Sequence, residues 1–273
     1  MRPMRTWSKL LALATLVAGA CGKDEAPPAR SSGASGEQAR SERDRPAKAP
    51  AGERKAIDPA TVGGVRGVVH FEGKAPERKK IDMSAVGGCP HDGNVLTEQV
   101  IVNDGRVQNV LVRVKSGLEA WIVPPAPSEP AVMNQKGCVY TPHVLPIRVG
   151  QPLVIQNSDD ATHNVNVRAK RRKNENFNQI QMPGQAPIEK TFGEVEVAIS
   201  FECNLHPWMN AWVAVVDHPF CAVSGPDGSF SIEGLPPGEY ELEAWHEHLG
   251  RATARVTVAQ GTSAEASFTL KAP

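Results

Sequence analysis

Residues 195–216 constrain the fold of this chain more than any other stretch. Val195, Val197, Ile199, Phe201 and Cys203 alternate with Glu196, Ala198, Ser200 and Glu202, the period-two pattern of a strand with one face in a core. Cys203 stands on the last apolar rung. Residues 211–216 (Ala-Trp-Val-Ala-Val-Val) predict the return strand. The loop Cys203-Asn-Leu-His206-Pro-Trp-Met209 therefore closes a hairpin and brings a thiolate, an imidazole and a thioether together on two strand stems.

A second imidazole comes from upstream. Residues 154–165 predict a strand, a polar turn (Ser158-Asp-Asp-Ala-Thr) and a second strand that begins at His163. If His163, Val165 and Val167 share the inward face, Asn164 and Asn166 face the other way. A soft sulfur anion, two imidazoles and a weak axial thioether are the donor set of one-electron copper sites.

On these residues the chain resembles the cupredoxins, small blue copper proteins of the plastocyanin, pseudoazurin and amicyanin kind. They share a His-Asn pair after a strand and a distal Cys, His and Met on one loop, and the C-x-x-H-x-x-M spacing with Pro207 and Trp208 is most like amicyanin. The resemblance implies a Greek-key sandwich that holds one type 1 copper through His163, Cys203, His206 and Met209. It also implies that Asn164 ties the two ligand segments together. Where the family often has a small hydroxyl after the cysteine, this chain has Asn204. With every coordination position taken by protein, electron transfer is expected rather than catalysis. The resemblance makes His206, on the loop tip beside Trp208, the exit for the electron, and the basic run at 168–173 is a candidate to steer an acidic redox partner.

Cysteine arithmetic bears on the site. Apart from Cys21, the chain has Cys89, Cys138, Cys203 and Cys221, an even number for which pairing is the default in an oxidising compartment. Cys221 lies past the far end of the return strand, out of reach of Cys203, so a Cys89–Cys138 bridge is expected, with Cys203 a thiolate and Cys221 unpaired. The alternative is a zinc pocket of Cys89, His91, Cys138 and His143.

Arg2, Arg5 and Lys9 precede an apolar run over residues 10–18 and then Gly19-Ala20-Cys21, the pattern of a secretory leader too short to span a bilayer. The ending resembles a bacterial lipoprotein site, which implies that Cys21 carries acyl chains on the periplasmic side of a membrane, the outer one slightly favoured. Cleavage near Ala20 and a soluble periplasmic protein is the alternative. Residues 22–60 are rich in Ala, Pro, Ser, Gly and mixed charge, with Ile57 the one large aliphatic, and predict a disordered tether. Lys and Arg total 30 against 30 Asp and Glu, so no net charge draws the chain to nucleic acid.

The expected organisation is all-β: leader 1–21, tether 22–60, copper sandwich 61–217 and a smaller sandwich 218–273. In the last, Asp227-Gly-Ser-Phe and Pro237-Gly-Glu-Tyr resemble the carboxypeptidase regulatory-like, transthyretin-related module, a scaffold. His246 and His248 would share a strand face there, with His218 nearby, but no third ligand has metal spacing, and surface histidines are the expectation. Redox proteins and a lipid bilayer are the expected partners. The other functional readings are a structural or ligand-binding sandwich with a vestigial loop, and a copper carrier without redox cycling.

Overall fold

The computed structural model describes residues 53–84, 86–89 and 95–272, so the leader with Cys21, the tether up to residue 52, and His91 lie outside the described residues. Every regular element among the described residues is a strand. The protein is all-β and forms two sandwiches.

The first sandwich is built from residues 131–216. One sheet orders Ile188–Lys190, Leu153–Asn157, Ala131–Gln135 and Tyr140–Thr141; the other orders Phe177–Gln181, His163–Arg168, Glu196–Glu202, Asn210–Val216 and Val144–Arg148. The chain crosses repeatedly between sheets in Greek-key fashion, which creates parallel neighbours without helical crossovers. Met133, Leu153 and Ile155 from one sheet meet Val165, Ile199, Phe201 and Val213 from the other, all fully buried.

The second sandwich corrects the expected boundary at Asp217. Gly63–Glu72 pairs with Ser229–Leu235 and runs parallel to Ser263–Lys271 from Gly64 opposite Ser263 to Glu72 opposite Lys271. Leu111–Ser116 lies between Cys221–Val223 and Gly238–His246. Residues 63–116 thus complete the C-terminal sandwich, and 131–216 are inserted between its strands Leu111–Ser116 and Cys221–Val223. The reason is coverage: Phe220, Ile232, Leu242 and Phe268 share one core with Val65, Val69, Val107, Val110, Val112 and Val114. Without those valines the five strands after residue 218 would leave their apolar faces in water.

The two sandwiches also touch. Val144 and Ala214, on the outer face of the sheet that carries His163–Arg168 and Glu196–Glu202, pack with Leu111 and Trp245 of the second sandwich, and Trp212 meets Trp245 edge-on at 5.7 Å between ring centroids. Four sheets therefore stack as successive layers.

Two further expectations change. The tether ends before Lys55, because Lys55–Ala56 pairs with Trp121–Ile122 and Ile57 packs on the second core. The alternation over 195–203 also breaks at Ala198, whose φ of 75° marks a bulge where the register shifts between Glu196 and Ile199. Ile199, Phe201 and Cys203 face the first core as expected, whereas Val197 joins the contact between the sandwiches. Glu196 is buried and accepts the Lys170 and Arg171 N–H groups and the Asn174 side chain, which pins the loop that follows the His163 strand.

Candidate metal centre

The ligand loop folds on itself. The Cys203 N–H donates to the Met209 carbonyl at 3.1 Å, the His206 N–H to the Cys203 carbonyl at 3.3 Å, and the Met209 N–H to the His206 carbonyl at 2.8 Å. These bonds continue the ladder from Glu202 opposite Asn210 and hold the three side chains at the end of the hairpin. Met209 is buried in the same core as Cys203.

His163 arrives from a turn shaped by Asn157, whose side chain accepts the Asp159 N–H and donates to the Ala161 carbonyl. His163 Nδ1 lies 2.9 Å from His206 Nδ1, and that second Nδ1 lies 3.4 Å from Cys203 Sγ. All three ligand atoms fall within 4.8 Å of one another, and all three residues are buried.

The surroundings orient these donors. His163 Nε2 contacts Asp159 Oδ2 at 2.9 Å, which fixes the ring and leaves Nδ1 toward the sulfur. Asn164 joins the two ligand segments: its N–H donates to Cys203 Sγ at 3.4 Å, and its side-chain oxygen accepts the Asn204 N–H at 2.5 Å. Asn204 turns its side chain to Asn166 instead of the sulfur. Burial lowers the pKa of His163 against the opposing pull of Asp159. Burial, and then the neighbouring His163, lowers that of His206. Both rings are therefore neutral near pH 7, the form in which imidazole donates to a metal.

Two features escaped the sequence reading. Asp159 was unassigned, although a carboxylate four residues before a ligand histidine across a polar turn was the signal for it. It also accepts the N–H groups of Gly137 and Cys138, so one carboxylate connects the His163 strand to the Cys138 turn. The second feature is what covers His206. Cys89 and Cys138 form a disulfide with a Cα–Cα distance of 5.6 Å, and Cys89 Sγ lies 3.7 Å from His206 Nε2. Closing a loop of 49 residues, this bridge contributes about 4 kcal/mol in the chain-entropy treatment.

His206, expected as the exit for the electron, is only 2% exposed and lies under cover rather than at the loop's surface. Asn204, Leu205 and Pro207 form the exposed tip instead, with Trp208 half-buried, tilted against His206 at 5.4 Å between ring centroids and donating to the Cys138 carbonyl. The basic run at 168–173 begins at the opposite end of the His163 strand, about 17 Å along it from that histidine.

The other histidines have different work. His218 donates to the Val114 carbonyl and accepts the Phe220 N–H, so both ring nitrogens are engaged. His246 is buried and accepts the His248 and Leu249 N–H groups, and its strand ends there, so His246 and His248 share no strand face. His143 pairs at 2.5 Å with Glu247, which also accepts the Trp212 indole N–H. Among the described residues it joins no metal-sized cluster with Cys89 or Cys138, the cysteines of the alternative zinc pocket. Cys221 is a free thiol whose pKa burial pushes up to about 11.

Comparison with known proteins matches residues 205–271 to the carboxypeptidase regulatory-like domain. No curated protein matches the chain. Among solved structures, the copper-containing nitrite reductase of Thermus scotoductus SA-01 is similar at 22% identity and TM-score 0.30, over 35% of this chain and 27% of that enzyme. A purple cupredoxin from Nitrosopumilus maritimus is similar at 24% identity and TM-score 0.27, over 32% of this chain and 99% of its own length. A reduced amicyanin variant is similar at 24% identity and TM-score 0.28, over 31% of this chain and 80% of its own.

Proposed function

We propose that the first sandwich holds one copper ion in a type 1 site and carries single electrons between larger redox proteins. The observation that carries this reading is the convergence of His163 Nδ1, His206 Nδ1 and Cys203 Sγ in a buried cluster, with Met209 on the same loop. The donor set fits: one thiolate, two neutral imidazoles and a thioether suit both oxidation states of copper. Bound there, copper supplies reversible one-electron chemistry.

The chain does the rest. Asp159 fixes the His163 tautomer, the Asn164 N–H bonds the sulfur, and the loop bonds of Cys203, His206 and Met209 hold the donors before metal arrives. Water is kept out by burial, since His163, Cys203 and His206 are 0%, 2% and 2% exposed. That enclosure favours an electron carrier over a catalyst, which would need an open position for substrate. Leu205, Pro207 and Trp208 offer an apolar contact for a partner, with Trp208 against His206 as the route in. We further propose export to the periplasmic side of a bacterial membrane, with acyl chains on Cys21 as the anchor.

Copper(II) added to the metal-free protein tests the reading. An intense visible thiolate-to-copper band is expected, together with its loss in Cys203→Ser while near-ultraviolet circular dichroism still reports a folded core. No metal uptake by the wild type would leave the vestigial-loop reading, and tight Cu(I) binding that stays colourless on oxidation would leave the carrier reading.

A further inference from the structure

One imidazole presents its two edges to two separate sulfur groups. His206 Nδ1 faces Cys203 and His163, whereas Nε2 faces Cys89 Sγ at 3.7 Å. The sulfurs of Cys89 and Cys138 and a ring nitrogen of His206 lie within 4.8 Å of one another, and all three residues are buried. A tetrahedral ion bound to thiolate at about 2.3 Å and imidazole at about 2.0 Å separates the two donors by about 3.5 Å, within about 0.2 Å of the separation here. The Cys89–His206 separation already meets that spacing.

Both cysteines are also held by contacts other than the bond between their sulfurs. Cys138 is fixed by Asp159 on its N–H and by the Trp208 indole on its carbonyl. Gly88, beside Cys89, has φ +86° and packs so closely on Asp160 and Ala161 that a Cβ would stand 2.9 Å from the Asp160 carbonyl oxygen. Breaking the S–S bond therefore leaves the two sulfurs next to the ring.

We propose that reduction of the Cys89–Cys138 disulfide creates a second metal site, for a soft or borderline ion such as Zn(II) or Cu(I), formed by Cys89 Sγ, Cys138 Sγ and His206 Nε2. A dithiol supplies the two electrons and two protons: its own sulfurs join as a disulfide, the S–S bond of Cys89 and Cys138 breaks, and two thiols form. The incoming ion then displaces both thiol protons to solvent. A neutral ring keeps its one proton on Nδ1 while Nε2 binds, so His206 serves one edge at a time. The redox state of the bridge thereby selects which sulfur group the imidazole serves.

The site needs neither Cys203 nor copper, so the full chain carrying Cys203→Ser tests it apart from the electron-transfer reading. The protein is reduced with a dithiol, freed of reagent without oxygen, and titrated with Co(II) as the probe. One equivalent with a thiolate-to-cobalt absorption band is expected, bound at least about 100-fold more tightly than by the oxidised sample. Cys138→Ser in the same background should abolish the band, and His206→Gln should weaken binding at least about tenfold. Equal cobalt uptake by reduced and oxidised protein, or an unchanged band in the Cys138→Ser chain, overturns the proposal. So does a reduced protein whose near-ultraviolet dichroism is lost and not restored by the metal.

Discussion

The two sandwiches use the same element but keep their irregularities in different places. In the second, Gly238–His246 and Gly250–Val258 pair without interruption from Gly238 opposite Val258 to His246 opposite Gly250, over a core of Val, Phe and Leu. Its non-glycine residues with positive φ, Asp104 and Asn109, sit in turns. In the first, positive φ occurs at Ala198 within a strand and at Cys138 in the disulfide itself. Gln135, Asn164, Asn166, Gln181, Glu196, His163 and His206 are buried there. Each buried polar group carries a desolvation cost unless it is bonded, and here most are: Gln135 to Gln181, Asn164 to Asn178, Asn166 to Asn204. Both sandwiches carry register shifts, between Glu233 and Leu235 and between Glu241 and Leu242 in the second and between Glu196 and Ile199 in the first, but only in the first does a shift coincide with a non-glycine positive φ inside a strand.

Severing the link between the two should produce the largest effect. His143 comes from the first sandwich and Glu247 from the second, with side chains 4% and 5% exposed. His143→Ala would leave that carboxylate buried with the Trp212 indole N–H and the more distant His248 ring, 3.9 Å away. A loss of about 3–5 kcal/mol in denaturant unfolding is expected. If the sandwiches are energetically separate, the loss will be under about 1 kcal/mol, and the transition will split in two.

The same junction sets opposite pH limits. Burial depresses His246 to about 4 from 6.5, with Glu247 opposing and His248 and His143 adding to the depression. The neutral ring's contribution is complete above 6.5 and lost as pH falls toward 4, about 3 kcal/mol in all. For His143, burial alone would lower the pKa, but the hydrogen bond and charge of Glu247 outweigh it and the net shift is upward. Its contribution is therefore present below 6.5 and fades as pH rises through the raised value. Thermal unfolding against pH should give an optimum near neutrality. His246→Asn should flatten the acid side and His143→Ala the alkaline side; an unchanged acid side in the first variant would remove His246 from the account.

A smaller effect is expected at the metal centre. Asp159→Asn keeps the shape but weakens the hold on the His163 ring, and copper affinity should fall about 10–100-fold with the visible band retained. A competition titration against a chelator reads this directly. Unchanged affinity would mean that the turn alone orients His163.

What the sequence disclosed follows the range of each interaction. The hairpin around the ligand loop and the inward phase of Phe201 and Cys203 were legible because alternation is local. The Cys89–Cys138 pair was legible because few cysteines leave few pairings. The insertion was not: Val65 and Val112 alternate equally well whichever sheet they join, and only pairing with strands more than a hundred residues away decides it. Burial of His206 was illegible for a similar reason, since its cover is a disulfide brought from two distant turns.

The smallest expected effect concerns Ala198, where the ladder slips. At φ 75° an L-residue carries about 1–2 kcal/mol of strain that glycine avoids, while glycine gives up about 0.5–1 kcal/mol of chain entropy on folding. The two nearly cancel, so Ala198→Gly should change stability by no more than about 0.5 kcal/mol. Ala198→Val, branched at Cβ, should cost more than about 1 kcal/mol. The slip lets Glu196 turn to the Lys170 and Arg171 amides while Ile199 and Phe201 stay in the core, so the valine variant should also blur the copper band by loosening the strand that ends at Cys203. If valine is tolerated, or glycine stabilises by well over 1 kcal/mol, the bulge is not the feature that sets the phase of the cysteine. The contrast between the two sandwiches would then rest on the buried polar groups alone.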